Sequence, residues 1–255
     1  MNSEESIQGI YHNCISNLSS FEIWPQFYSI RYREFKIFQK LFPQKHFKNV
    51  LEIGCGIGYQ SAFLSCISDK VIASDIDKGN MVKHSRGLDI TRDFLKALSI
   101  DNIEIVNADA EDLPFEDESF DLIYCSFSFQ YITDKVKALA SIKRVLKKDG
   151  HFFCVLPTTA YGLSNARKYY LSAVKKIITR GAKNNITKDN IEEEKLFAKK
   201  RSTKLLPPPD DDSNNFFIEL LAYSTLRWRK LFKQNDHTII LEKRDSTSVI
   251  FMTKK

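Results

Sequence analysis

The stretch Val50-Leu51-Glu52-Ile53-Gly54-Cys55-Gly56-Ile57-Gly58 is an apolar run with one acid, closed by three glycines at alternate positions. It reads as a buried strand that stops in a tight turn and opens into a helix over Tyr59 to about Ser65. Glycine accepts φ > 0 and, lacking Cβ, lets a ligand lie against the backbone. The helix that follows points unsatisfied N–H groups at such a ligand. Strand-to-helix turns occur in many α/β proteins, so the glycines alone decide little. The dinucleotide fingerprint needs G-x-G-x-x-G after an uncharged strand. Here the third glycine comes one residue early, Tyr59 stands in its place, and Glu52 charges the strand. No Gly-Lys-Ser/Thr follows, which removes the P-loop. An acid two residues before the first glycine suits a cationic ligand better than a pyrophosphate.

With 255 residues, 43% hydrophobic and 27% charged, the chain is long enough for one α/β domain with an insertion. No apolar run nears the ~20 residues of a membrane span. The first residues, Met1-Asn2-Ser3-Glu4-Glu5-Ser6, lack the basic and apolar regions of a signal peptide. Five scattered cysteines (Cys14, Cys55, Cys66, Cys125, Cys154) form no C-x-x-C, which argues against a disulfide framework or zinc site and for a reducing, cytoplasmic setting. The net charge of +6 is unevenly placed: residues 158–235 hold 16 Lys/Arg and 8 Asp/Glu. That excess suits a negatively charged partner or substrate.

Residues 1–49 read as a helical cap. Phe21, Trp24, Phe27, Tyr28, Tyr32, Phe35 and Phe38 form an apolar stripe, with Arg31, Arg33 and Lys36 expected on the other face. Packing on the sheet is the favoured reading; the alternative is a flap whose Tyr28 or Arg31 reaches a bound ligand. Val71-Ile72-Ala73-Ser74-Asp75 is a second strand ending in an acid, with Asp77 a helix cap and His84 in solvent. Ile103-Glu104-Ile105-Val106 is a third, followed by Asn107-Ala108-Asp109-Ala110. Phe120 to Cys125 is a fourth, leaving through Ser126-Phe127-Ser128-Phe129-Gln130-Tyr131. Val136 to Gly150 reads as a helix with lysines and a glycine at its end, and His151 to Pro157 as a fifth strand. A helix over about 217–233 precedes Thr238–Glu242 and Ser248–Met252, an antiparallel hairpin. Alternating strands and helices give a parallel sheet with right-handed crossovers.

These motifs, in this order, resemble the class I S-adenosylmethionine-dependent methyltransferases, most closely the group that includes quinone and other small-molecule enzymes. The resemblance is strong over residues 48–157 and moderate over 217–255. It implies an α/β, Rossmann-like, doubly wound seven-stranded sheet with an antiparallel C-terminal hairpin. One domain would span residues 1–255: a cap over 1–49, a cofactor-binding core over 50–157, a helical lid over 158–216, and the last helix and hairpin over 217–255. It also implies S-adenosyl-L-methionine as cofactor. By the motif match, Glu52, Gly54, Cys55, Gly56 and Gly58 face its methionine end, Asp75 and Ile76 its ribose, and Asp109 and Ala110 its adenine, with Ser126 beside them. No metal is implied.

The acceptor is less legible. The Asn/Asp-Pro-Pro-aromatic signature of base and amide methylation is missing after the fourth strand, and Cys125 lacks the proline of cytosine C5 chemistry, so DNA is not an expected partner. Many members of the resembled group have a histidine where Gln130 stands. Glutamine cannot take a proton at neutral pH, so Gln130 is assigned to orienting the acceptor. Tyr131 is the nearest candidate base, with His12 and Tyr161 behind it. The expected function is methyl transfer to a small-molecule acceptor, such as a sugar, lipid or quinone precursor, held by Phe127, Phe129, Gln130 and Tyr131. An RNA or protein methyltransferase docking through the basic insertion is one alternative, and a cofactor-binding protein without catalysis another. The basic helix of the insertion also fits an anionic membrane surface, though a lid helix with a solvated face is preferred.

Overall fold

Strand β1 (Phe47–Ile53) alternates its side chains between two cores, and this alternation organises the whole sheet. Val50 joins Phe63, Phe94, Tyr124 and Phe153 on one face. Its neighbour Leu51 joins Ile123, Cys125, Phe129, Phe152 and Phe232 on the other. The computed structural model describes residues 25–43, 45–76, 87–158, 224–244 and 248–255, together with 8, 9 and 12. The lid expected beyond Thr158, Asp77, His84, Tyr161 and the Tyr28 side chain lie outside the described residues.

After β1 come α2 (Tyr59–Ser65), β2 (Ser68–Asp75), α3 (Asp89–Ala97) and β3 (Ile103–Asn107), with α1 (Pro25–Leu41) preceding them all. Then follow β4 (Phe120–Ser126), a 3-10 turn (Phe129–Tyr131), α4 (Lys135–Val145) and β5 (Leu146–Pro157). The chain closes with α5 (Thr225–Gln234), β6 (Thr238–Arg244) and β7 (Ser248–Lys254). The seven strands lie in the order β3-β2-β1-β4-β5-β7-β6. Strands β1 to β5 are parallel, while β7 runs antiparallel to both β5 and β6. The strand order reverses between β1 and β4, and such a switch point opens a crevice at the carboxyl ends of the strands. The doubly wound sheet and its C-terminal hairpin are those expected.

Two elements differ from the sequence reading. The helix expected to reach Gly150 ends at Val145, and Leu146 already pairs with Phe120. The register then jumps to Leu122 opposite His151, so Lys147–Gly150 bulge from the head of β5 instead of capping a helix. Basic residues before a glycine suit either role, and the ladder to β4 decides. In α1, Phe35 and Phe38 are fully buried as expected, with Phe35 stacked on Phe63 at 5.1 Å. Arg31, however, is not on the solvent side: it is 8% exposed.

Candidate functional site

At the carboxyl end of β1 all three glycines of the turn have positive φ: +72° at Gly54, +55° at Gly56 and +96° at Gly58. The Gly54 and Cys55 N–H groups both donate to the Ser74 carbonyl, at 2.8 and 3.0 Å, which binds the turn to β2. The Gly58 N–H donates to the Cys55 carbonyl at 2.8 Å and closes the turn as α2 begins. A Cβ at Gly54 would sit 2.3 Å from Ser128 Cβ and Oγ, whereas one at Gly56 would meet nothing within 4 Å. Gly54 is therefore glycine for packing, and Gly56 presents bare backbone to open space.

Asp75, at the tip of β2, accepts from the Gly56 N–H at 2.9 Å through Oδ2 and from the Ile76 N–H at 2.8 Å through Oδ1. Each carboxylate oxygen accepts more than one donor, so both keep capacity for hydroxyls. Burial raises the Asp75 carboxyl above its usual range, against these two N–H donors. Ile76 beside it is 49% exposed, an apolar side chain left open at the strand tip. Asp109, beyond β3, is exposed and receives the Glu111 N–H at 2.9 Å, which fixes the turn carrying buried Ala110.

Glu52 is buried two residues before the turn and accepts from the Ser61 hydroxyl of α2. Burial pushes its carboxyl up to about 8, opposed by the Ser61 hydrogen bond and by Arg31. A cation arriving nearby would reverse that shift, because an opposite charge favours the ionised form. Cys55 is buried and its thiol is raised well above the usual range, first by burial and then by Glu52. A buried thiol held protonated in this way is a poor nucleophile.

A polar network that the sequence reading did not find underlies this wall. The Arg31 guanidinium donates to Glu34 Oε2 at 3.0 Å and to the Ser126 hydroxyl, and lies 4.9 Å from the centre of the Phe127 ring. Glu34 Oε1 also accepts from Gln60 Nε2 at 3.0 Å and from the Tyr124 hydroxyl at 2.7 Å. The network joins α1, α2 and the end of β4. The Arg31–Glu34 spacing of three residues on one helix was its sequence signal, masked by the aromatic stripe around it.

The exit from β4 is tighter than an open acceptor wall. Phe127 has φ +50° and stays half-buried. Phe129 turns fully into the core, stacked on Phe232 at 6.0 Å, and so leaves the acceptor side expected for it. Gln130 is 4% exposed; its Nε2 donates to the Phe127 carbonyl at 2.7 Å, and its Oε1 is buried with no partner among the described residues. Tyr131 is half-buried, and its N–H donates to the Ser128 carbonyl at 2.9 Å. His12 is exposed, and its ring Nδ1 lies 2.8 Å from the Gln8 carbonyl. Among the described residues no cluster of three His, Cys, Asp or Glu could hold a metal.

The sheet order thus sets Asp109, Asp75, the glycine turn and Ser126 side by side on adjacent strand ends. Three inter-strand steps separate the outer two, roughly 14 Å at the usual spacing. An extended ligand could lie along them, with a cationic end over Glu52 and hydroxyls at Asp75. The bare backbone at Gly56 and the residual acceptor capacity of Asp75 fit S-adenosylmethionine.

Residues 51–154 match the methyltransferase domain family. An uncharacterized methyltransferase, YcgJ, of Bacillus subtilis is 34% identical over 106 residues, which are 42% of this chain and 39% of that protein. The ubiquinone/menaquinone biosynthesis C-methyltransferase UbiE of Haemophilus ducreyi is 40% identical over 107 residues, 40% of this chain and 39% of that one. The match therefore spans about two fifths of the length of these relatives. The crystal structure of a SAM dependent methyltransferase from Aquifex aeolicus superposes with a TM-score of 0.55 at 15% identity, covering 86% of this chain and 87% of that one, and shares the fold.

Proposed function

From a chain whose residues 51–154 match the methyltransferase domain family, we propose that the whole protein transfers a methyl group from S-adenosylmethionine to a small-molecule acceptor. The observation that supports this reading is the Gly56–Asp75 pairing at the switch point: the Gly56 N–H donates to Asp75 at 2.9 Å, and a Cβ at Gly56 would meet nothing within 4 Å. Asp75 would hold the ribose hydroxyls, Asp109 and the Ala110 N–H the adenine, and Glu52 would balance the positive charge of the methionine end. When bound, the cofactor supplies an activated methyl group on a sulfonium. What this chain adds is position: an in-line displacement needs donor and acceptor aligned, and water kept out.

The relative named for quinone biosynthesis favours an electron-rich aromatic or quinol-like acceptor. The half-buried Phe127 ring, with the Arg31 guanidinium 4.9 Å from its centre, would stand at the edge of such an acceptor. Gln130 acts through Phe127: by holding its carbonyl it fixes the left-handed turn that aims the ring. The lid proposed for residues 158–216 would complete the enclosure.

The test is an acceptor screen with isotope-labelled S-adenosylmethionine, spanning quinols, phenols, sugars, lipids, RNA and protein. Label appearing in a small aromatic acceptor is the expected result. Transfer to RNA or protein alone, or tight cofactor binding with no transfer to any acceptor, would replace this reading with one of its two rivals.

A further inference from the structure

The amino ends of the strands, opposite the glycine turn, hold a feature that methyl transfer does not use. A concavity of about 650 Å³ is walled by Lys45, His46, Lys48, Lys147 and Lys148. Some of that charge is already matched. Lys147 Nζ donates to Asp121 at 2.8 Å, and His46 Nε2 lies 2.7 Å from Asp69. Glu118, also on the wall, accepts from Lys255 at 3.0 Å. Lys45, Lys48 and Lys148 have no carboxylate partner among the described residues, and Asp149 is the one wall acid left beside them.

The arrangement is built, not merely a scatter of surface lysines. The Lys45 ammonium is held between two rings, 5.2 Å from the centre of Phe42 and 5.0 Å from that of Phe47. Lys147 and Lys148 ride on the bulge at the head of β5, which Gly150 pinches shut: a Cβ there would come within 3.0 Å of the Lys147 carbonyl oxygen. Next to it, the buried His151 ring leaves Nδ1 without a partner among the described residues. Burial, then Lys45 and Lys254, lower the His151 imidazole to about 4. Burial and Lys254 likewise lower the Lys45 ammonium. Like charges are crowded around one hollow with too few acids to balance them.

We propose that this concavity is a binding site for a compact anion carrying two or more phosphate groups. Three unmatched ammonium groups arrive from two separate segments, more than a single phosphate would engage. Single-stranded nucleic acid is the poorer fit. It takes a basic track with aromatic faces open for stacking, whereas here Phe47 is buried and Glu118 and Asp149 stand at the wall. The site lies at the end of the sheet away from the cofactor crevice, so both ligands can be held together.

Calorimetry of the full chain with inorganic pyrophosphate at low salt tests this. Binding is expected, weakening with added salt and at least tenfold in Lys45→Ala/Lys148→Ala. That variant should keep its affinity for S-adenosylmethionine, which also reports that it is folded. Saturating S-adenosylhomocysteine should leave pyrophosphate binding intact. Absence of binding heat, equal affinity in the double variant, or displacement by S-adenosylhomocysteine would overturn the proposal. An RNA oligonucleotide that binds more tightly than pyrophosphate through the same lysines would overturn it in favour of a nucleic-acid surface.

Discussion

The Gly56 N–H donates to Asp75 Oδ2 at 2.9 Å, so one hydrogen bond locks the turn after β1 to the tip of β2. The same carboxylate is the ribose acceptor of the proposed function, and its two roles can be separated by measurement. Asp75→Ala removes a charged hydrogen-bond partner and should weaken S-adenosylmethionine by about 1–3 kcal/mol. It also orphans the Gly56 and Ile76 N–H groups, so the free protein should melt earlier. Asp75→Asn keeps one carbonyl acceptor and should recover much of the stability but little of the affinity. Thermal melts with calorimetry check both; wild-type affinity in Asp75→Ala would remove the ribose assignment.

Glu52 makes cofactor binding depend on pH. Its carboxyl is raised to about 8 by burial, so it is largely protonated at neutral pH. A cationic ligand favours the ionised form, and binding should therefore release a proton. Affinity should climb with pH up to about 8, by at most tenfold per unit, then level off. For folding the sign is opposite. The unfolded chain loses this proton near 4.5 and the folded one near 8, so Glu52 erodes stability as pH rises between them, at about 1.4 kcal/mol per unit. Glu52→Gln should be more stable than wild type at pH 8 and bind the cofactor more weakly, without the pH slope. Calorimetry in two buffers of different ionisation enthalpy measures the proton release directly.

What could be read in the sequence was what is local. The Val50–Gly58 turn and the spacing from Gly56 to Asp75 are set by one strand–turn–helix–strand unit, and the structure reproduces them. The parallel sheet followed from the alternation of strands and helices, whereas the order of the strands is seen only in the structure. The Arg31–Glu34–Gln60–Tyr124 network was not legible, because it joins three elements distant in sequence, and an arginine on an aromatic helix reads as solvent-facing until its partners are known. Lys147–Gly150 was misplaced for a related reason: only the ladder to β4 shows that the helix has already ended. Phe129 and Gln130 depended on which way the chain turns after Ser126, which the positive φ at Phe127 settles.

Gly54 supplies a steric test of the turn. An added Cβ would lie 2.3 Å from Ser128 Cβ and Oγ, at a backbone φ of +72°. Gly54→Ala should therefore destabilise through both overlap, roughly 1–3 kcal/mol, and left-handed strain, roughly 1–2 kcal/mol. Adding Ser128→Gly removes the overlap but not the strain, and gives up the Ser128 hydroxyl bond to the Gly54 carbonyl at 3.0 Å. The double variant should thus recover part, not all, of the loss in a urea melt. Equal stability of Gly54→Ala and wild type would show that Ser128 does not pack there.

The buried Arg31–Glu34 pair should behave as one unit. Glu34→Ala takes the Glu34 carboxylate from the buried Arg31 guanidinium and the acceptor from Gln60 and Tyr124. Breaking one side of a buried pair in this way costs about 3–5 kcal/mol, whereas replacing both partners by apolar residues is often nearly neutral. Arg31→Met/Glu34→Leu should accordingly be more stable than Glu34→Ala, which is strong coupling in a double-mutant cycle. Its function should suffer differently. Losing Arg31 removes the hydrogen bond from α1 to the Ser126 hydroxyl and the cation over the Phe127 ring, so methyl transfer should fall by more than cofactor affinity does if Asp75 is the ribose acceptor proposed above. Urea denaturation of the four proteins in the cycle, paired with cofactor calorimetry and turnover, gives the answer. Additive losses, each below about 1 kcal/mol, would mean that the pair is solvated and that α1 is held by its apolar side chains, Phe35 and Phe38 among them.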